Sequence, residues 1–470
     1  MEIIGREREI EELVRLRDSS TSEFVMVYGR RRVGKTYLIR EFFEDKFDFY
    51  LTGIAHGSRV EQLMNFGMTI KQYVWTGDPL KPPTNWYEAF EQLKSLTSKS
   101  TNKRKIIFLD ELPWMVTQKS EFVKALELFW NSWASARTDV LLIVCGSASS
   151  WMVKNIVKNH GGLHNRITFK IKLKPFTLQE TKLYLESRHI EWSEQMIAEC
   201  YMILGGIPYY LKMLNGKYSL AQNVDQLFFN ESALLEDEFE NLYASLFRNS
   251  ADYIRIVEAL AEKKVGFSRD EILKKTKMLD GGSFSRKLEE LEQCGFIRKY
   301  LSAGGVRQVY QLVDFYSLFY ETFIKRGPHF DTDRWMNIID TPLYNTWLGL
   351  SFERLCLAHL PQIKQKLGIS GVSTNTYSLH HKEAQVDMVI ERGDNIVNLC
   401  EMKFSDDPYE IDKKYADSLR NKRSVLRGII KKKQSVSIVM ITANGLKRNQ
   451  YSAELVQNEV SLSDLFKGNH

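Results

Sequence analysis

Apolar and polar positions change rhythm along the 470 residues of the chain. Up to about residue 215, short unbroken apolar runs recur: Phe24 to Tyr28, Ile106 to Leu109, and a third within "DVLLIVCGSASS", Asp139 to Ser150. Runs of this length predict strands buried on both faces, the mark of an open α/β sheet, and an amphipathic helix pattern follows the first. From about Tyr253 the apolar residues fall at three- and four-residue spacing, which predicts three short helices. Two β-rich runs around Ser302-Ala303-Gly304-Gly305 come next. Near Trp347, "WLGLSFERLCLAHL" predicts a helix with Leu348, Phe352, Leu355 and Leu357 on its apolar face. Beyond it, Val386, Met388 and Ile390 alternate with Asp387, Val389 and Glu391, and Cys400, Met402 and Phe404 with Glu401 and Lys403, which predicts two strands, then a helix and a last strand, "SVSIVMITANG". The expected divisions are 1–215, a helical linker at 216–250, 251–325 and 340–470. The linker contains the acidic "ESALLEDEFENLY" and reads as solvated rather than as a site.

Composition adds little except exclusions. With 43% hydrophobic and 26% charged residues, 10 prolines and 27 glycines, the chain reads as ordinary globular protein, and its net charge of +6 is too small to argue for a nucleic-acid partner without local clustering. The five cysteines are dispersed, without a C-x-x-C pair, and read as reduced core residues rather than disulfides or a zinc site. No run of about 18 apolar residues occurs, and "MEIIGREREI" is charged where a signal peptide needs an apolar stretch, so a cytoplasmic protein with no membrane partner is expected.

The first apolar run ends in Gly29-Arg30-Arg31-Arg32-Val33-Gly34-Lys35-Thr36, followed by Tyr37. This is G-x-x-x-x-G-K-[ST] between a strand and a helix: the two glycines let backbone N–H groups curl around phosphate, Lys35 reaches the β and γ phosphates of ATP, and the Thr36 hydroxyl ligates Mg²⁺. The second run ends in Asp110-Glu111, at the carboxyl end of a strand where ligands of such sheets collect. Asp110 is expected in the Mg²⁺ shell and Glu111 as the general base acting on water. After the third run, Ser147 either senses the γ-phosphate or caps the next helix. Arg166, beyond the Gly161-Gly162 turn, either stabilises charge on the γ-phosphate, in cis or from a neighbouring subunit of a homo-oligomer, or is a surface arginine.

Together with Gly5-Arg6-Glu7 and "GGIPYYL" (Gly205 to Leu211), these motifs resemble the AAA-type archaeal and bacterial P-loop ATPases related to the signal-transducing STAND class. The resemblance implies that Gly5, Arg6, Glu7 and Pro208 flank the nucleotide. Members of that family usually carry Gly-Arg at the arginine finger, whereas this chain has His164-Asn165-Arg166.

The order of the middle segment, three helices and then two strands, is that of a winged helix. Its third helix opens with Ser283-Phe284-Ser285-Arg286-Lys287, which either enters a DNA groove or leaves the module to pack on its neighbours and transmit their state. In the last segment, a hairpin turning symmetrically about Asp394 sets Asp387 opposite Glu401, with Lys403 two residues on. Facing carboxylates repel unless a hard cation lies between them. Asp387, Glu401 and the Met402 carbonyl are candidate Mg²⁺ ligands, with Lys403 orienting or activating water for phosphodiester hydrolysis.

These residues resemble the PD-(D/E)xK nuclease superfamily, with a restriction-endonuclease-like α/β fold, and the resemblance implies that Glu353 on the preceding helix is a further metal ligand. His380 and His381 read as loop residues. The cluster Lys414, Arg420, Lys422, Arg423, Arg427 and Lys431 to Lys433 is either a track for DNA phosphates or a solvated helix face. The expected function is an ATPase whose nucleotide state gates a Mg²⁺-dependent nuclease acting on DNA. The alternative is a non-cleaving ATP-driven switch with an inactive nuclease fold; a DNA translocase is less favoured, there being no second ATPase module.

Overall fold

The computed structural model describes residues 3–73, 81–117, 120–147, 149–153, 156, 165–230, 232–247, 249–301, 308–325 and 334–468. His164, the Gly161-Gly162 turn and the Ser302–Gly305 turn lie outside them. The chain divides into two compact units, Met1–Pro175 and Phe176–His470.

The first unit is built on five parallel strands: β1 (Glu23–Gly29), β2 (Phe49–Thr52), β3 (Lys105–Asp110), β4 (Val140–Gly146) and β5 (Phe169–Leu173). Their order is β2-β3-β4-β1-β5. Every residue of β4 is buried, which is why its sequence is an unbroken apolar run rather than an alternating one. Aromatic side chains fill the core, with Trp86 edge-on to Phe122 at 4.7 Å and Phe24 5.0 Å from Trp130. From β1 the chain crosses to β2, works back through β3 to β4 and then passes over to β5, so the winding reverses between β1 and β4. A crevice at the carboxyl ends of the strands opens at such a reversal.

In the second unit, residues 176–215 are tied to more distant segments: the Leu178 amide donates to Nε2 of buried His359 at 2.9 Å, and Tyr201 meets Phe315 edge-on at 5.4 Å. The expected 1–215 division therefore spans the boundary between the two units. The acidic connector is not solvated: its helix Glu238–Leu246 buries Phe239, Leu242 and Tyr243, and Phe239 stacks on Tyr320 at 4.0 Å. The apolar positions i, i+3 and i+4 of that helix outweigh its acids.

Helices Ser250–Ala261, Arg269–Thr276 and Gly282–Gln293 precede an antiparallel ribbon, β6 (Ile297–Leu301) and β7 (Gln308–Leu312), and Phe267 adds a bridge to Tyr310. The helix Pro342–Ala358, N-capped by Thr341, leads toward a five-stranded sheet: β8 (Thr374–His380), β9 (Gln385–Arg392), β10 (Ile396–Lys403), β11 (Ser435–Thr442) and β12 (Asn458–Ser461). The order is β12-β11-β10-β9-β8; β8, β9 and β10 are antiparallel, whereas β10, β11 and β12 are parallel. A parallel neighbour needs a crossover, supplied between β10 and β11 by the helix Lys413–Ile429. His380 is not a loop residue as expected: it closes β8, paired with Gln385, on an edge strand whose alternation is broken by an irregularity between Tyr377 and Leu379.

Candidate functional site

The loop from Gly29 to Thr36 is shaped by backbone that only some residues accept. Gly29 has φ 154°, and a Cβ there would lie 2.1 Å from the carbonyl oxygen of Leu173 on β5. Gly34 (φ 89°) and Arg32 (φ 72°) are left-handed. The Lys35 ammonium donates to the carbonyls of Gly29 (3.2 Å) and Arg30 (2.8 Å), holding a buried cation inside the loop, and the helix Lys35–Phe42 starts there with its unpaired amides. Arg30 and Val33 are buried, Arg31 is half-buried, and Tyr37 is exposed. Gly5 (φ 68°) turns the chain so that Arg6 Nη2 donates to the Val33 carbonyl at 3.2 Å, and Glu7 opens the next helix. The Gly-Arg-Glu segment is thus a buttress of the loop.

The Thr36 hydroxyl donates to Asp110 Oδ2 at 2.7 Å, although β1 and β3 are separated in the sheet by β4. Burial raises the Asp110 carboxyl above its ordinary value, and the Thr36 bond opposes the rise. Asp110 Oδ1 accepts from the Glu111 amide at 2.9 Å, and Glu111 itself is left-handed (φ 49°), which turns its side chain off the end of the strand. There Ser147 Oγ donates to Glu111 Oε1 at 2.8 Å. Of the two roles open to Ser147, the structure adds a third: it holds the glutamate. Thr36 and Asp110 offer paired oxygens suited to a hard divalent cation. Arg166 is exposed, and Pro208, at the start of Pro208–Leu211, belongs to the other unit.

In the second unit, β9 pairs with β10 as 391–397, 390–398, 389–399 and 388–400, the register symmetric about Asp394, with Asn395 left-handed (φ 66°) in the turn. Asp387 Oδ2 accepts from the Met402 amide at 3.0 Å. Glu401 is fully buried; its Oε2 accepts from Lys422 Nζ (2.6 Å) and the Tyr415 hydroxyl (2.8 Å), while its Oε1 is buried without a hydrogen-bond partner. Burial and the neighbouring Asp387 raise the Glu401 carboxyl, and the same causes bring Glu353 up to about 7.

The three carboxylates do not converge as expected. Glu353 and Asp387 both face Lys264, which ion-pairs with Glu353 and lies 3.9 Å from Asp387 Oδ1, and among the described residues no three His, Cys, Asp or Glu side chains form a ligand group. Lys403 lies over the Tyr415 ring at 4.9 Å rather than on a carboxylate. The unbonded Glu401 Oε1 beside Asp387 has the chemistry of a hard-cation ligand, and these two residues fit such an ion better than Glu353 does.

Lys264 and Tyr415 escaped the sequence reading, and Lys422 entered it only as part of the basic cluster, not as the partner of Glu401. Lys422 and Tyr415 were legible in principle, since with Leu419 and Leu426 they lie at helical spacing on the buried face of Lys413–Ile429, an odd place for a lysine. The basic cluster is smaller than its composition implied: Arg420 pairs with Asp417 and Glu454, and Lys422 with Glu401, which leaves Lys414, Arg427 and Lys431 to Lys433 exposed. In the third helix of the middle segment, Arg286 is exposed, but Lys287 is engaged with Ser283 and Asp252.

The parallel order β2-β3-β4-β1-β5, with the loop after β1 and the acidic pair after β3, defines a P-loop ATPase. Residues 3–214 match the model of an ATPase domain found predominantly in Archaea. Over 438 residues, 90% of the chain, it is 22% identical to an uncharacterised protein of Methanocaldococcus jannaschii, MJECL04, and spans 92% of it. A 43-residue stretch, 9% of the chain, is 44% identical to an uncharacterised ATP-binding protein of the same organism, MJ0423, and covers 73% of it. Among solved structures, the Walker-type ATPase PABY2304 of Pyrococcus abyssi superposes with a TM-score of 0.51 at 19% identity, over 68% of this chain and 96% of that one. No helix among the described residues is long and apolar enough to cross a membrane.

Proposed function

We propose that the chain hydrolyses ATP and uses its nucleotide state to control a nuclease-like site that acts on DNA. The observation carrying the first half is the linked set Thr36–Asp110–Glu111–Ser147, which orients one carboxylate at the mouth of the phosphate loop. Thr36 and Asp110 would hold Mg²⁺, which when bound neutralises charge on the phosphates. Lys35 binds the β and γ phosphates, Glu111 takes a proton from water, and Ser147 keeps Glu111 aimed. Reading residues 251–325 as a winged helix and 340–470 as a PD-(D/E)xK-type domain is supported by their element order and by half-buried Asp387 and buried Glu401 on adjacent antiparallel strands. There Asp387 and Glu401 would hold the divalent cation, and the exposed Lys414, Arg427 and Lys431 to Lys433 would draw in the phosphate backbone.

The test is ATP turnover and DNA cleavage by purified protein across a matrix of Mg²⁺ or Mn²⁺ with and without ATP. Turnover is expected to be lost in Glu111→Gln and cleavage in Lys403→Ala. Cleavage no greater than that of Lys403→Ala under every condition removes the nuclease half. A second reading, a non-cleaving DNA-responsive switch, is favoured by Lys264 and Lys422 already engaging the carboxylates. It requires ATP turnover stimulated by DNA and a cellular effect that survives Glu401→Ala.

A further inference from the structure

We propose that Lys264 is a built-in plug of the carboxylate site: its ammonium, ion-paired with Glu353, takes the place beside Asp387 that a divalent cation needs. The inference rests on reading Asp387 and Glu401 as a cation site. Lys264 comes from the connection between the helix Ser250–Ala261 and the bridge residue Phe267, in a different segment from both carboxylates. Its side chain ion-pairs with Glu353 and lies 3.9 Å from Asp387 Oδ1. Glu353 and Asp387 are largely buried and repel one another, so one positive charge between them relieves much of what an isolated pair would suffer. A divalent cation held by Asp387 and Glu401 would relieve it too, through Asp387, the carboxylate that the ammonium also faces. The two occupants therefore compete for Asp387.

The plug is held in the frame of the ribbon and is not on a free loop. The Lys264 carbonyl accepts from Gln311 Nε2 at 2.6 Å, and the Val265 carbonyl accepts from the Tyr300 hydroxyl at 2.7 Å. Gly266 (φ 78°) presses against β7, where an added Cβ would meet the Tyr310 carbonyl at 2.0 Å. The ribbon in turn is tied to the helix carrying Glu353, since buried Arg354 Nε donates to the Leu312 carbonyl at 3.1 Å. Any rearrangement that lifts the ribbon withdraws the ammonium from the carboxylates. Apparent cation affinity then equals the intrinsic affinity scaled by the fraction of molecules with Lys264 withdrawn.

The experiment is Mn²⁺ titration of the full chain without nucleotide, read by the electron paramagnetic resonance signal of free Mn²⁺. It compares wild type, Lys264→Met and Lys264→Gln, each with and without Asp387→Asn, and uses circular dichroism to certify folding. Both Lys264 variants are expected to show an Asp387-dependent site tighter than wild type by about tenfold or more, and Mn²⁺ should raise their melting temperatures more than that of wild type. An Asp387-dependent site of equal or weaker affinity in the variants overturns the plug and leaves the cation-site reading standing. Absence of Asp387-dependent binding in every form overturns that reading and the plug with it. If one variant does not fold, the other carries the comparison.

Discussion

Removing the Ser147 hydroxyl isolates the orienting of Glu111 from the binding of nucleotide. In Ser147→Ala the 2.8 Å bond to Glu111 Oε1 disappears, and the longer bond from the Ser147 amide to Glu111 Oε2, at 3.4 Å, remains. A hydroxyl bonded to a charged group is worth about 1.5–3 kcal/mol. If that is expressed as misorientation of the base in the transition state, kcat falls by about 10- to 150-fold. The cradle is untouched, since Lys35 is held by Gly29 and Arg30 and Arg6 by Val33, so ATP affinity should hold. Steady-state turnover gives kcat and calorimetric titration with a non-hydrolysable analogue gives affinity. Because Ser147 acts through Glu111, Ser147→Ala should have little further effect in a Glu111→Gln background. An unchanged kcat, an equal loss of affinity, or additive losses in the double variant would refute the orienting role.

Three further outcomes are expected. His359 is buried with its pKa lowered to about 4 from 6.5; being depressed, it contributes stability above about pH 6.5 that is lost as pH falls toward 4. The difference, 6.5 − 4, corresponds to about 3 kcal/mol. Urea unfolding of wild type and His359→Gln should converge by about that amount between pH 6.5 and 4, and parallel curves would count against it. Gly29→Ala drives a Cβ into the Leu173 carbonyl and should cost about 4 kcal/mol or the fold itself, seen as lost soluble protein or lost ATP binding. Gly428→Ala, in a helix with nothing within 4 Å of the new methyl, should instead stabilise by about 0.5–1 kcal/mol in the same unfolding assay.

The short-range features of both sites were legible from the chain. The phosphate loop spans eight consecutive residues, and glycine at positions 29 and 34 follows from a backbone that curls, so Lys35 and Thr36 could be assigned from spacing. The β9–β10 register followed from a three-residue turn about Asp394, because a hairpin's pairing is set by its loop. The unbroken apolar run of β4 told its burial on both faces, but the alternation of β9 and β10 did not carry over, since β10 is buried at every position from Val397 to Met402.

What tertiary structure alone decided is which charges meet. Lys264 reaches Glu353 across 89 positions of sequence, and Ser147 reaches Glu111 across 36. No periodicity encodes such pairings, since they depend on how separate elements pack. The same holds for the acidic connector, which reads as solvated yet buries Tyr243, and for Lys422, which belongs by composition to a basic surface and by packing to Glu401. A side chain's type and its neighbours in sequence determine what it can bind. Its burial, and the partner that folding delivers, determine whether that capacity is free or already used.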